Sequence, residues 1–407
     1  MKRAALAVLA SSAALAGLGA SSAAAAPHLT VRSAALIEES TGQTLFGLAP
    51  DARVPIASTT KLMTALLTLE HVRHLSATFA QNLYYSAPGD SQVGLVPGER
   101  MSAHDLLLAL LLPSADDAAE DLAFHIGHGS VARFIGMMNA RARQLGLTRT
   151  HYSTPIGLDT PGNYSSASDL TKLASFVLTH SRFFARVVAL RRAVLHTGNH
   201  TRVVANRNDL VGGIPWINGV KTGHTRDAGY VLVGSGTRGG MTLISAVLGT
   251  SSPSARDANT LALLGYGFRT FHLVTPVRAG AVLARPTVRD RPGAHAAVIA
   301  ASSFTDVLAR ASRVSVRVQV PHQLAGPLKR HAVVGTVSIF AGPRRIARIP
   351  LLLARALPAV SPLTLAAHFL TRGSTLLFLV ALLGLATMAY MWRETRRDKH
   401  PAGPEAA

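Results

Sequence analysis

"PIASTTKLMTALLTLE", residues 55–70, sets the hydroxyl of Ser58 and the amine of Lys61 three positions apart, a spacing that puts both on one face of a helix. The rest of the stretch is apolar on nearly every helical face, as expected of a helix buried centrally. An ammonium taken out of water costs several kcal/mol unless it is paired or neutralised, and a neutral amine is a base. Such a base within reach of a hydroxyl activates it for attack on a carbonyl. A helix start at Ser58 adds free backbone N–H groups and a positive dipole, both favourable to an oxyanion. The same residues also read as an N-cap serine and a lysine snorkelling to the surface, and S-x-x-K alone does not separate the two readings.

Two further stretches do. "LLLPSADDAAE" presents Ser114 at the expected start of a helix, with Asp116 two positions on. "NGVKTGHTRDAGY" presents Lys221, Thr222 and Gly223 at the expected entry to a strand. S-x-x-K, an S-x-N-like element and K-T-G, in that order, mark penicillin-binding proteins and serine β-lactamases. Each element has an ordinary explanation by itself; the three in sequence do not.

The elements that must position these residues follow from periodicity. "SAALIEESTGQTLFGLAP" alternates as two short strands around Thr41-Gly42. "SAHDLLLALLLPSADDAAEDLAFHIG" reads as one helix from near Ser102, stopped by Pro113, and a second from near Ser114. "GYVLVGSGTRGGMTLISAVLG" is a hairpin turning at Arg238-Gly239-Gly240, and "ANTLALLGYGF" is a closing helix. Strands and helices thus alternate to about residue 275 as in an α+β domain. From Pro276 to Leu353, period-two stretches such as "RVSVRVQV" separated by Gly and Pro indicate a small separate β-rich domain.

The two ends carry targeting signals. Lys2 and Arg3, an uncharged run and then small residues give the layout of a secretory signal over residues 1–26, cleaved near Ala24 to Ala26. "GSTLLFLVALLGLATMAYMW", residues 373–392, is free of charge and reaches about 30 Å as a helix, enough to cross a bilayer core. Arg393, Arg396, Arg397 and Lys399 follow, so the positive-inside rule puts the tail, residues 393–407, in the cytoplasm. Residues 354–372 are the connector. The implied location is the cell membrane, with a single span and the catalytic domain on the cell-wall side.

The chain of 407 residues has no cysteine, which excludes disulfides, thiolate nucleophiles and cysteine-ligated zinc. Its formal net charge of +20 would suit nucleic acid, but export argues against that partner, and the arginines are scattered along the chain. Attraction to anionic lipid or wall polymers is the functional reading of the charge, and GC-rich coding bias the bland one. The histidine pairs His71/His74 and His125/His128 lack the glutamate of H-E-x-x-H, so no metal is assigned, and no cofactor.

Together "PIASTTKLMTALL", "LLPSADDAAEDLA", "THYSTPIGLD", "YSSASDLTKLA" and "VKTGHTRDAGYVLVGSGTRGG" resemble the D-alanyl-D-alanine carboxypeptidases, the low-molecular-mass penicillin-binding proteins of the S11 peptidase family. The resemblance covers roughly residues 30–275 and extends more weakly into the β domain. It implies a five-stranded antiparallel sheet flanked by helices over residues 27–275, then a stalk-like β domain over 276–353. The substrate it implies is the peptidoglycan stem pentapeptide, with penicillins and other β-lactams as inhibitors. Position by position, Ser58 would be the nucleophile, Lys61 the general base and Ser114 the relay of a proton to the leaving D-alanine. Lys221, Thr222 and Arg256 would hold the substrate carboxylate, with Lys221 also helping to depress the pKa of Lys61. Gly223 belongs to the same substrate-binding element, and the N–H groups of Ser58 and His224 would form the oxyanion hole. Asp116 stands where the family has asparagine; it loses the amide donor and brings a charge that raises the pKa of Lys61.

Between Asp121 and Lys221 there is no glutamate to activate a deacylating water, so penicillin is expected to acylate Ser58 and leave slowly. Two other outcomes fit the motifs: a transpeptidase or endopeptidase of the same fold, and a weakened wall-binding scaffold that Asp116 alone supports.

Overall fold

Alternate side chains of a strand face opposite ways, and in this chain both faces of one sheet are apolar, so both must be covered. The computed structural model describes residues 25–82, 84–85, 90–360, 362, 366, 369 and 373–397. Nearly all of the expected secretory signal, much of the connector and the last ten residues of the basic tail lie outside the described residues. The central sheet has five antiparallel strands in the order Thr44–Leu48, Ser33–Glu38, Met241–Thr250, Gly229–Arg238, Ile217–Thr225. Ala35, Ile37, Val231, Val233, Ile244 and Ala246 face one core, which also takes in the buried side of helix Lys61–His71. Ala34, Leu36, Leu232, Leu243 and Val247 face the other, against Leu263, Leu264 and Phe268 of helix Pro253–Thr270. The α+β fold with helices on both sides of a five-stranded antiparallel sheet is therefore present.

The hairpin closes where the sequence indicates. Arg238 pairs with Met241, and Gly239 and Gly240 both have positive φ, 56° and 77°, the requirement of a tight type I′ connection. Two boundaries differ from expectation. The helix after Pro113 begins at Asp116, because Ser114 sits at φ 69° in the left-handed region and cannot be its first residue. Lys221 to Gly223 lie in the interior of strand Ile217–Thr225, whose apolar register starts earlier than the motif.

The chain forms two compact units: residues to Val274 together with Asp306–Ala311, and Thr275–Thr305 together with the chain from Ser312. The second unit thus differs from the expected 276–353 segment, because strand Phe304–Ala309 returns to pair with strand Phe271–Val277. The second unit has its own five-stranded antiparallel sheet, in the order Val282–Ala284, Val298–Ala300, Arg344–Leu353, Val333–Ala341, Val314–Gln319. Its core is built on Val298, Val337, Ile339 and Leu351. The terminal helix Gly373–Arg397 runs five residues past the expected span, carrying Arg393 and Arg396 in its last turns. It is long and apolar enough to cross a membrane.

Residues 91–99 cross the first unit without regular structure and are pinned by charge. The Ser91 N–H donates to Asp116, those of Val93 and Leu95 to Asp117. Arg202 donates to the carbonyls of Val93 and Gly94 and forms a forked pair with Glu99, at 2.7 and 3.0 Å, both side chains nearly or wholly buried. Burial pushes the Glu99 carboxyl up, but bonds from Arg202, Asn199 N–H and Val96 N–H outweigh it and hold the carboxyl below its ordinary value. Removing one partner of a buried pair typically costs about 3–5 kcal/mol. Arg202→Ala should lose that order of stability in urea unfolding at neutral pH. Because the folded Glu99 pKa is depressed, its contribution is complete above the unfolded value and fades as pH falls through the folded one. The gap between variant and parent should therefore narrow in acid; a gap constant with pH would assign the loss to packing.

Candidate active site

Ser58 lies in a 3₁₀ turn, Ala57–Thr60, that runs into helix Lys61–His71. The turn is fixed by Thr59, whose N–H and hydroxyl both donate to the Ile56 carbonyl, at 3.2 and 2.7 Å. Ser58 makes no capping bond, so the N-cap reading fails. The snorkelling reading fails as well, because Lys61 is 0% exposed and every residue from Lys61 to Thr68 is buried. Its Nζ lies 2.9 Å from Ser58 Oγ, 2.6 Å from Asp116 Oδ1 and 2.6 Å from the Ile156 carbonyl.

Burial pushes the Lys61 pKa down; the charge and hydrogen bond of Asp116 push it back up, and Arg207 pushes it down again. Desolvation prevails, so the amine is easier to deprotonate than an ordinary lysine. The expected upward pull of Asp116 is present but is the smaller effect. Asp116 uses both carboxylate oxygens as acceptors, Oδ1 from Lys61 and Oδ2 from the Ser91 N–H at 2.9 Å. An asparagine has one acceptor and cannot serve both donors in the same way.

Ser114 is buried beside them. Its Oγ has no hydrogen-bond partner, and the residue lines the same cleft as Ser58. The left-handed backbone, of order 1–3 kcal/mol for a non-glycine residue, turns the chain just before Asp116 enters its helix. Lys221 is 1% exposed, and its Nζ donates to the Thr222 carbonyl at 3.0 Å. Burial lowers its pKa well below that of a free lysine, helped by the charges of Lys61 and Arg207 and opposed by Asp116. The charge of Lys61 thus disfavours that of Lys221, while Arg207 is the cation that lowers Lys61.

The cleft, about 410 Å³, is lined by Ser58, Ser114, Thr222, Gly223, His224 and Arg256, all drawn from the expected set. Asp116 and the two lysines sit behind that surface. Ser91, Arg207 and Tyr230 also line it and were not expected. No motif spacing marks them: Ser91 belongs to the irregular 91–99 segment, Arg207 looks like any of the many arginines, and Tyr230 stacks on His224 with ring centroids 4.0 Å apart. Arg256 is 6% exposed in the first turn of helix Pro253–Thr270, where a cation opposes the helix dipole. Its Nε binds Asp257, while Nη2, buried without a hydrogen bond, stands 4.0 Å from Asp209 Oδ2, a carboxylate that also lines the cleft. The cleft therefore combines a hydroxyl bonded to a buried amine with a surplus of positive charge suited to a carboxylate. Of the histidine pairs, His125 is structural: Nε2 bonds the Ala80 carbonyl at 2.7 Å and the ring stacks on Phe79.

Gly223 lets the strand approach the nucleophile turn. A Cβ there would stand 2.9 Å from Ser58 N and 2.8 Å from Val231 Cγ2. Gly223→Ala should cut acylation of Ser58 by a fluorescent penicillin by roughly tenfold or more, since an ångström of misplacement costs about that or more. Unchanged labelling would show that the approach is not needed.

A profile for D-alanyl-D-alanine carboxypeptidases, peptidase S11, matches residues 20–252. The chain is similar to D-alanyl-D-alanine carboxypeptidase DacC of Escherichia coli, 32% identical over 345 residues that make up 80% of this chain and 84% of that protein. Penicillin binding protein 5 from Haemophilus influenzae superposes with a TM-score of 0.67 at 27% identity, covering 82% of this chain and 99% of that one. A Streptomyces DD-transpeptidase superposes with a TM-score of 0.57 at 36% identity, covering 60% of this chain and 99% of that one.

Proposed function

The chain belongs to the S11 family of D-alanyl-D-alanine carboxypeptidases, a serine-type peptidase, and we propose that Ser58, Lys61 and Ser114 carry its chemistry on peptidoglycan stem pentapeptides. Neutral Lys61 takes the Ser58 proton as Oγ attacks the carbonyl of the penultimate D-alanine. The oxyanion falls to the N–H groups of Ser58 and His224. The C–N bond then breaks, Ser114 passes a proton to the departing D-alanine amine, and water hydrolyses the Ser58 ester. Thr222 and Arg256 bind the substrate's terminal carboxylate at the cleft surface, with Gly223 shaping that edge, and Lys221 adds positive charge from beneath. The observation that carries this reading is the 2.9 Å contact between a wholly buried Lys61 amine and Ser58 Oγ.

β-Lactams, which mimic the D-alanyl-D-alanine end, acylate Ser58 and act as inhibitors. Residues 1–26 direct export, and the first unit works on the cell-wall side, held by the helix beginning at Gly373. Capture of the acyl-enzyme by an amine is the second reading, supported by likeness to a protein described as a DD-transpeptidase. A non-catalytic scaffold is disfavoured by the Ser58–Lys61 contact.

D-alanine release from a synthetic pentapeptide tests the main reading. Ser58→Ala should abolish both release and penicillin labelling; release that persists would remove Ser58 from the chemistry. Products from pentapeptide plus an amine acceptor, weighed by mass, separate hydrolysis from transfer.

Asp116 sets the pH range. Lys61 must be neutral to accept a proton, so kcat/KM rises with pH through the Lys61 pKa, and the carboxylate of Asp116 holds that pKa higher than burial alone would. Asp116→Asn should keep or increase turnover at neutral pH and move the acidic limb of the kcat/KM profile to lower pH. It should also cost about 1–3 kcal/mol of stability through the donor left unmatched at Ser91 or Lys61. An acidic limb that stays in place would show that Asp116 does not act through Lys61, and complete loss of activity would give Asp116 its own task.

A further inference from the structure

The second unit carries an unusual charge. Residues 275–305 and 312–360 hold twelve lysines and arginines against one carboxylate, Asp290. Among the described residues, none of these cations has an ion-pair partner, whereas the first unit pairs Arg141, Arg202 and Arg256 with carboxylates. Part of that charge converges on a cavity of about 610 Å³. Arg285, Arg291, His295 and Arg355 line it, over apolar side chains of Val288 and Leu353, and no carboxylate does.

The walls are built from fixed backbone. Val288 and Ala294 bond across a turn that holds Arg291, with Val288 N–H donating to Ala294 at 3.0 Å. His295 Nδ1 bonds the Arg285 carbonyl at 3.1 Å, which sets the ring beside that arginine. The opposite wall is stapled on both sides: Ala354 N–H donates to Ala297, and Leu357 and Leu328 exchange both backbone bonds at 2.8 and 2.9 Å.

We propose that this cavity binds the phosphodiester headgroup of an anionic phospholipid. Guanidinium groups on the rim match phosphate oxygens, and the apolar floor suits the glycerol and first acyl carbons, which a free polyanion lacks. Position along the chain points to lipid as well. The wall ending at Pro358 lies fifteen residues before Gly373, where the apolar helix begins, so the cavity is within about 50 Å of it even if the link is fully extended. The unpaired cations around the cavity then add attraction to an anionic surface within a Debye length. The proposal rests on reading helix Gly373–Arg397 as a membrane anchor; if that reading fails, the full chain will stay in solution without detergent.

The test uses the full chain in a neutral detergent, titrated with dihexanoyl phosphatidylglycerol, dihexanoyl phosphatidylcholine, glycerol phosphate and inorganic phosphate, with native mass spectrometry as readout. Phosphatidylglycerol should bind at least roughly tenfold more tightly than the other three. The triple variant Arg285→Ala, Arg291→Ala, Arg355→Ala should lose about that factor while keeping D-alanine release, and Arg313→Ala, Arg344→Ala, Arg345→Ala should bind as the parent does. If the alanine variant also loses D-alanine release, the corresponding triple glutamine variant is read by the same criterion. Equal binding of phosphatidylcholine, equal losses in both triple variants, or phosphate binding as tightly as the lipid would each overturn the proposal.

Discussion

Everything in the candidate active-site cleft is arranged around one buried amine. Lys61 has no exposure and three partners, and the cost of desolvating its charge is what makes it a candidate base. Were it solvated, it would be a protonated surface lysine with no reason to take a proton from Ser58. Burial comes from its position at the first turn of a helix apolar on all sides, which belongs in the core rather than on it. Asp116 works against complete neutralisation, and its second oxygen ties the 91–99 segment to the same point. The proposed base, the middle motif and a wall of the cleft are thus mechanically one assembly.

That assembly explains why a segment without helix or strand can form part of a site. Residues 91–99 have no ladder to satisfy their N–H groups, so carboxylates do it: Asp116 for Ser91, and Asp117 for Val93 and Leu95. Glu99 and Arg202 close the far end. The consecutive acids of "SADDAA" therefore serve different ends, one facing the lysine and both holding the wall. A neutral residue at 116 frees Lys61 at the expense of the wall, which gives the departure from the family's asparagine a structural meaning beyond charge.

Residues whose chemistry is tied to a fixed spacing were legible from the sequence. Ser58 and Lys61 are a local pair on one turn, and the strands of the sheet they pack against announce themselves by period-two alternation. The family resemblance reached further and named Ser114, Thr222, Gly223, His224 and Arg256, which all line the cleft. Arg207 and Ser91 stayed hidden because their roles come from tertiary placement alone. Arg207 is exposed, on a loop, in a chain rich in arginine, and only the fold brings its charge near two buried lysines. The left-handed backbone of Ser114 was equally invisible, since a serine before a helix reads first as a cap.

The same limit applies to the net charge of +20, which as a sum says little. Partitioned by fold, it separates into two kinds of cation. In the first unit, Arg141, Arg202 and Arg256 meet carboxylates, and burial lowers the pKa of Lys61 and Lys221, so part of its positive charge is compensated or disfavoured. In the second unit the arginines have almost no carboxylate to meet. A folded β unit tolerates that self-repulsion more easily when an anionic surface or ligand screens it. The cavity lined by Arg285, Arg291 and Arg355 is where the screening group would be held most closely, because there three arginines border one formed cavity with an apolar floor.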